Sequence, residues 1–200
     1  FLVCLSKQPL TKKDFEDSKK KGKDVLEAFW ESEREHWHTR SLADFNVAGV
    51  TIDLPTGEKL LLRGRLDKMD LLTESPKNSK QQPVCVVDFK TGRPKTRNQI
   101  LGETASATGN EKRQLDFYRL LLDLYDDGKY MMTNGTILFT EPDEKGRIKK
   151  ETFDITAEDS EKVKAETIRV AEEILNFEFW DEECGDKDCS SCKLRKILIN

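Results

Sequence analysis

The chain has 200 residues, with 34 Lys and Arg against 38 Asp and Glu and a net charge of -4. That length suits one well-buried domain with short extensions, and the near-average apolar and charged content excludes a disordered or membrane class. No apolar run approaches the roughly 20 residues that span a bilayer, and the opening Phe1–Leu5 is too short for a signal peptide. A net negative charge excludes a general polyanion binder, so any nucleic-acid contact has to come from a local basic patch or from a larger parent protein. The start at Phe1, directly in an apolar run, reads as a domain of a longer polypeptide. Five cysteines, an odd number without a secretion signal, favour reduced thiols or a metal over a disulfide framework, and hence a cytoplasmic setting.

In chain order, Thr11 to about His38 reads as a helix with Thr11 as cap, Phe15, Val25, Leu26, Phe29, Trp30 and Trp37 falling roughly on one face. The lysine run Lys19 to Lys21 is taken as a solvated face of it. Two extended stretches between Phe45 and Leu72 flank the turn formers Leu54-Pro55-Thr56-Gly57 and read as a hairpin whose second arm is Lys59 to Leu72. After a polar stretch, Thr73 to Pro83, comes Val84-Cys85-Val86-Val87, typical of a strand buried on both faces. Thr91-Gly92-Arg93-Pro94 ends that strand, and the segment to Asn110 reads as a long functional loop. Glu111 to Tyr125 is helical, with Leu115, Tyr118, Leu122 and Tyr125 as a stripe. Thr136 to Thr140 and Lys149 to Ile155 form a second hairpin. A helix then runs from the cap Thr156 to about Phe177, with Asp159 at the position where a capping box ordinarily carries Glu or Gln.

The chemistry lies in Gly64-Arg65-Leu66-Asp67-Lys68-Met69-Asp70, followed about twenty residues later by Val86-Val87-Asp88-Phe89-Lys90-Thr91-Gly92. Strand alternation sends Asp88 and Lys90 to one face and Phe89 to the other. An Asp-x-Lys triplet alone is commonplace and reads as a surface ion pair; its position where a buried strand emerges, after a hairpin arm bearing another Asp, turns the reading toward a site. Two carboxylates and an ammonium at one sheet end suit phosphodiester hydrolysis. Hard oxygens hold Mg²⁺ or Mn²⁺, and the amine offsets charge growing on the phosphorane. Gln114 and Tyr118, four apart, share a helical face where an amide and a phenol can reach a water, the lysine or a phosphate; the other reading of Tyr118 is core. Lys112 and Arg113, with Arg93, Lys95 and Arg97, are together placed to supply a local basic patch, while each taken singly reads as a solvated surface charge.

Taken in order, the segments GRLDKMDLL (64–72), VCVVDFKTGRPKTRN (84–98) and KRQLDFYRLLLDL (112–124) resemble the motifs of RecB-like nuclease domains of the PD-(D/E)XK superfamily, found at the C-terminus of UvrD/Rep-type superfamily 1 helicases. The resemblance runs from about Leu60 to Tyr125. It implies an α/β fold with a restriction-endonuclease-like core, a central mixed sheet flanked by helices, spanning residues 1–180, with 181–200 as a cysteine-containing tail packed on the same domain. It also implies a Mg²⁺- or Mn²⁺-dependent deoxyribonuclease acting on single-stranded or unwound DNA, covalently linked to helicase domains and serving repair or recombination. Asp67 and Asp88 become the metal carboxylates, Lys90 the catalytic lysine, and Gln114 and Tyr118 residues beside the site. Asp70 falls on the opposite strand face.

Many relatives carry a histidine on the N-terminal helix and a glutamate at the start of the first strand. Here Lys23 stands near the first position, Asp44 is the nearest acid to the second, and His36 and His38 read as surface residues. Those departures leave open a second reading, a catalytically weak DNA-binding module of a helicase. Cys184-x4-Cys189-x2-Cys192 has metal-like spacing, and Cys4 is the residue left to complete the four cysteines that hold an iron–sulfur cluster in some relatives; because Leu194-Arg195-Lys196-Ile197-Leu198 stands where those relatives carry their last cysteine, the match is incomplete and the set reads as a metal-free remnant over a bound cluster or zinc. A zinc-dependent interaction domain is the third reading. Cys85, inside the buried strand, reads as core.

Overall fold

A computed structural model describes residues 1–72, 80–178 and 182–199. The polar stretch Thr73 to Pro83 therefore lies mostly outside the described residues. Five strands form one sheet in the order β1 (Ser41–Asp53), β2 (Lys59–Leu71), β3 (Gln82–Lys90), β4 (Tyr130–Phe139) and β5 (Lys150–Asp154). Only β3 and β4 run parallel; the other neighbours are antiparallel, so the sheet is mixed, as expected. The helices are α1 (Leu2–Leu5), α2 (Lys12–Glu33), α3 (Arg97–Leu101), α4 (Asn110–Leu124), α5 (Ala157–Leu175) and α6 (Ser190–Ile199). None among the described residues is long and apolar enough to cross a membrane.

Central placement explains the composition of β3. With β2 on one side, β4 on the other and both faces covered, Val84, Val86 and Val87 are buried and β-branched, as a strand of this kind requires. On one face lies α4, whose Leu115, Leu120, Leu121 and Leu122 are fully or almost fully buried among Val47, Leu66, Met69, Val86 and Ile137. Two glycines set how closely it docks. A Cβ on Gly135 would lie 2.8 Å from Leu115 Cδ1, and one on Gly64 would lie 2.3 Å from Leu121 Cδ1. The absence of those two side chains lets α4 seat its leucines against β2 and β4. Helix α5 packs outside α4, where Ser160 donates to Asp123 at 2.8 Å. On the other face α2 brings Phe29 edge-on to Phe89, with ring centroids 6.1 Å apart.

The structure corrects several expected boundaries. Helix α2 ends at Glu33, and Arg34–His36 continue it as a short 3₁₀ turn. The segment after β3 is not loop throughout: Thr96 and Gln99 close a capping box on α3, and Gly102, at φ 79°, terminates it. Strand β4 begins at Tyr130, six residues before the expected start, because its first residues pair with Gln82, Pro83 and Val84 of β3. At α5, Asp159 closes the capping box with Thr156 in place of the usual Glu or Gln.

Candidate active site

Strand pairing brings the two aspartates together. The β2–β3 register runs from Leu71↔Val84 to Lys68↔Val87; one further step in the same register sets Asp67 opposite Asp88, on the α4 face. There the ladder opens, and the Asp67 carboxylate itself accepts the Phe89 N–H at 2.9 Å. Lys90, two residues beyond Asp88, shares its face. Its Nζ lies 2.7 Å from Asp88 Oδ2 and donates to Gln114 Oε1 at 2.6 Å. Gln114 Nε2 in turn donates to the Tyr118 hydroxyl at 2.6 Å, and that hydroxyl donates to Asp88 Oδ1 at 3.1 Å. The four side chains form a closed ring of contacts whose helical half depends on the i, i+4 spacing along α4. Tyr118 is both core and contact: it is buried, yet its hydroxyl reaches Asp88.

Burial makes this ring electrostatically unusual. Asp88 is only 2% exposed. Desolvation pushes its carboxyl above the usual range, with the Asp67 charge adding to the rise, while Lys90 and Tyr118 oppose it. Tyr118 is driven well above the ordinary phenol, first by burial and then by the Asp88 charge. Asp88 Oδ2 faces Lys90 as an ion pair but, among the described residues, receives no hydrogen bond of proper geometry. A buried, hard, anionic oxygen left in that state, beside a second exposed carboxylate on the next strand, is a donor set suited to a divalent cation with oxygen preference.

Glu111 joins this neighbourhood unforeseen. The sequence marks it only as the start of a helix. In the structure it stands one turn before Gln114, with one oxygen ion-paired to Lys95 and the other, Oε2, buried without a hydrogen bond. Burial would raise its carboxyl, but Lys95, its own backbone N–H and the nearby Lys90 outweigh burial and hold it low. The helical spacing to Gln114 was the available signal; the ion pair with Lys95 was not.

Other candidates fall elsewhere. Asp44 is exposed at φ 59° and gives both carboxylate oxygens to Arg65, which keeps it ionised well below the usual carboxylate range; the suggested metal role does not fit a carboxylate already taken by a guanidinium. Asp70 is turned away, as expected, accepting from Ser41 and paired with Lys68 at 2.9 Å. His36 is exposed and His38 half-buried, each bonded to nearby backbone. The expected basic patch is largely neutralised. Lys95 pairs with Glu111, Arg97 with Glu151, Lys112 with Asp116 and Arg113 with Glu166, which leaves Arg93 as the one of the five with no ion pair among the described residues.

Among the described residues, the one group of three metal-type side chains whose ligand atoms lie within 4.8 Å of one another is Cys184, Cys189 and Cys192. Cys184 and Cys192 sulfurs are 3.5 Å apart. Hydrogen bonds from the Cys192 backbone and the neighbouring thiols bring Cys189 down to about 7. Cys4, exposed on α1, is not in the group. Three thiolates fall one short of a closed four-thiolate site, so this set does not fit the four-cysteine cluster of the relatives.

With this geometry, the comparison with known families is decisive. The model of the PD-(D/E)XK nuclease superfamily matches residues 5–197. The chain belongs to the PD-(D/E)XK nuclease superfamily. Nucleases of this superfamily usually use divalent metals such as Mg²⁺, in keeping with the oxygen donors at Asp67 and Asp88. No curated protein matches the chain. Among solved structures, it is similar to the crystal structure of SSO0001, at 16% identity and a TM-score of 0.42, over 77% of this chain and 55% of that one. The chain thus spans about half of that protein's length.

Proposed function

We propose that this superfamily member is a metal-dependent deoxyribonuclease domain of the RecB-like branch, in which Asp67 and Asp88 hold Mg²⁺ or Mn²⁺ and Lys90 acts directly on the phosphate. A bound divalent ion polarises a phosphoryl oxygen and lowers the pKa of a water. The chain's own residues supply the rest. Tyr118 engages Asp88 Oδ1, so Oδ2, now paired with Lys90, is the oxygen that would turn to a cation. Gln114 anchors the Lys90 ammonium from the helix side. One of the three ammonium donors is thus committed to Gln114, its charge is set against Asp88, and a donor remains for a phosphoryl oxygen gaining negative charge. The motif resemblance further supports a substrate of single-stranded or unwound DNA delivered by linked superfamily 1 helicase domains, in repair or recombination.

The observation that carries the reading is the buried Asp88 oxygen without an aligned hydrogen bond, facing a lysine and neighbouring a second aspartate. Incubation with labelled single- and double-stranded DNA and Mn²⁺ tests it, comparing wild type with Asp88→Ala and Lys90→Ala. The expected outcome is cleavage by wild type, lost by a factor of about 100 or more in each variant. A second reading, a DNA-guiding module without cleavage, draws support from Asp44 being tied to Arg65 and from the neutralised cations. Equal binding and no cleavage in all three proteins would establish that reading instead.

A further inference from the structure

Next to the Asp88–Lys90–Gln114 ring, α4 and α5 part to leave an open cavity of about 440 Å³. Its walls are chiefly apolar, from Phe117 on α4 and Val163 and Val170 on α5, with Thr167 between them. Gln114 also lines it. This is the same amide that receives the Lys90 ammonium and donates to Tyr118, so one side chain touches both the cavity and the ring of contacts around Asp88. At the rim, Arg113 pairs with Glu166 at 3.1 Å and also donates to Asn110 and to the Thr108 carbonyl.

These features select the part of a nucleic acid that fits. A phosphate needs cations free to meet it, and the cavity's one cation is already neutralised by Glu166. A flat heteroaromatic ring suits the walls: its face gains from the Phe117 ring and the valines, and its polar edge meets the Gln114 amide and the Thr167 hydroxyl. Gln114, shared by the cavity wall and the Lys90 contact, links such a ring to the proposed hydrolytic centre.

We propose that the α4–α5 cavity receives one nucleobase of the strand whose backbone lies at Asp67, Asp88 and Lys90. The inference rests on the nuclease reading and narrows its substrate. A base in a duplex is stacked and paired and has to be extruded to enter, whereas a base in a single strand is free to do so. The cavity therefore selects single-stranded or frayed DNA near the scissile phosphate.

Two variants test it. Phe117→Leu removes the ring and keeps apolar volume; Val170→Met, at the partly exposed rim of α5, fills the space without adding an aromatic. Single-stranded oligonucleotides carrying 2-aminopurine at successive positions are bound to each protein in Ca²⁺, and fluorescence and affinity are read without any cleavage. With wild type, a fluorescence change confined to one position is expected, and affinity for ordinary single strands falls about tenfold in each variant. An oligonucleotide with an abasic residue at that position is expected to bind wild type and variants alike. Unchanged affinity in both well-folded variants, or an equal loss on the abasic strand, overturns the proposal. Because binding is read apart from hydrolysis, a protein that grips the base but never cuts sinks the nuclease reading alone. Normal cutting by both variants, with unaltered affinity, sinks the cavity alone.

Discussion

Asp88 carries two opposed demands. Its carboxylate is 2% exposed, next to the Asp67 charge, and desolvation raises it above the ordinary range. The folded protein therefore binds a proton there more readily than the unfolded chain does. Between the unfolded value near 3.8 and the raised folded value, the folded state holds more protons, so the contribution of Asp88 to stability decreases as pH rises through that window. At neutral pH in a chelating buffer, Asp88→Asn is expected to melt higher than wild type, by on the order of 1 kcal/mol, while losing cleavage. Adding Mn²⁺ should then raise the wild-type melting temperature and leave that of the variant unmoved. Calorimetry with and without metal checks both; a variant that melts lower without metal would show that Lys90 and Tyr118 stabilise the charge more than burial disfavours it.

Among residues, legibility followed local periodicity. Strand alternation put Asp88 and Lys90 on one face, and helical spacing did the same for Gln114 and Tyr118; both are properties of a few consecutive residues. Glu111 escaped because its Lys95 partner lies in the irregular segment before α4, where no local pattern announces the pair. Asp44 misled for the converse reason. Its place near the first strand's start suggested a ligand by resemblance, but nothing local shows that Arg65, across β1 and β2, takes the whole carboxylate.

For secondary-structure elements, the close approach of α4 to the sheet holds Gln114 and Tyr118 over Asp88. Gly135→Ala places a methyl within 2.8 Å of Leu115 Cδ1, in a position where Leu115 is fully buried and has little room to yield. The expected cost is about 1–3 kcal/mol in denaturant unfolding, together with loss of activity in the protein that remains folded, because α4 shifts outward and takes the Gln114 amide from Lys90. Full activity with unchanged stability would mean that α4 does not depend on that contact. Strong patterns announced α2, β2, β3, α4 and α5. The five residues of α3 are too few to show a period, although Thr96-x-x-Gln99 held the capping-box signal. The early start of β4 was hidden because its reason is pairing with Gln82–Val84, a contact distant in sequence.

On the scale of the whole molecule, the charge distribution decides how DNA arrives. With a net charge of -4 and four of the five cations expected around the site held in ion pairs, the domain offers few free charges around that site to a phosphate backbone. Its affinity for single-stranded DNA should therefore depend weakly on salt. Fluorescence anisotropy between about 50 and 200 mM salt is expected to give a log–log slope of magnitude below about 3, against the much steeper slopes of proteins making 6–10 phosphate contacts. A steep slope would show that DNA displaces Glu111, Glu151 and Glu166 from their lysine and arginine partners. Fold class was readable at this scale, because a buried β-branched strand between hairpins and amphipathic helices leaves few arrangements other than a mixed sheet covered by helices.

The central claim is that Asp67 and Asp88 together hold a divalent cation beneath Lys90. A crystal soaked in Mn²⁺ and recorded at the manganese absorption edge tests it directly. The expected result is one anomalous peak within about 2.0–2.3 Å of an oxygen from each aspartate; absence of a peak there, with Asp67 still turned to the Phe89 amide and Asp88 still paired with Lys90, would contradict it.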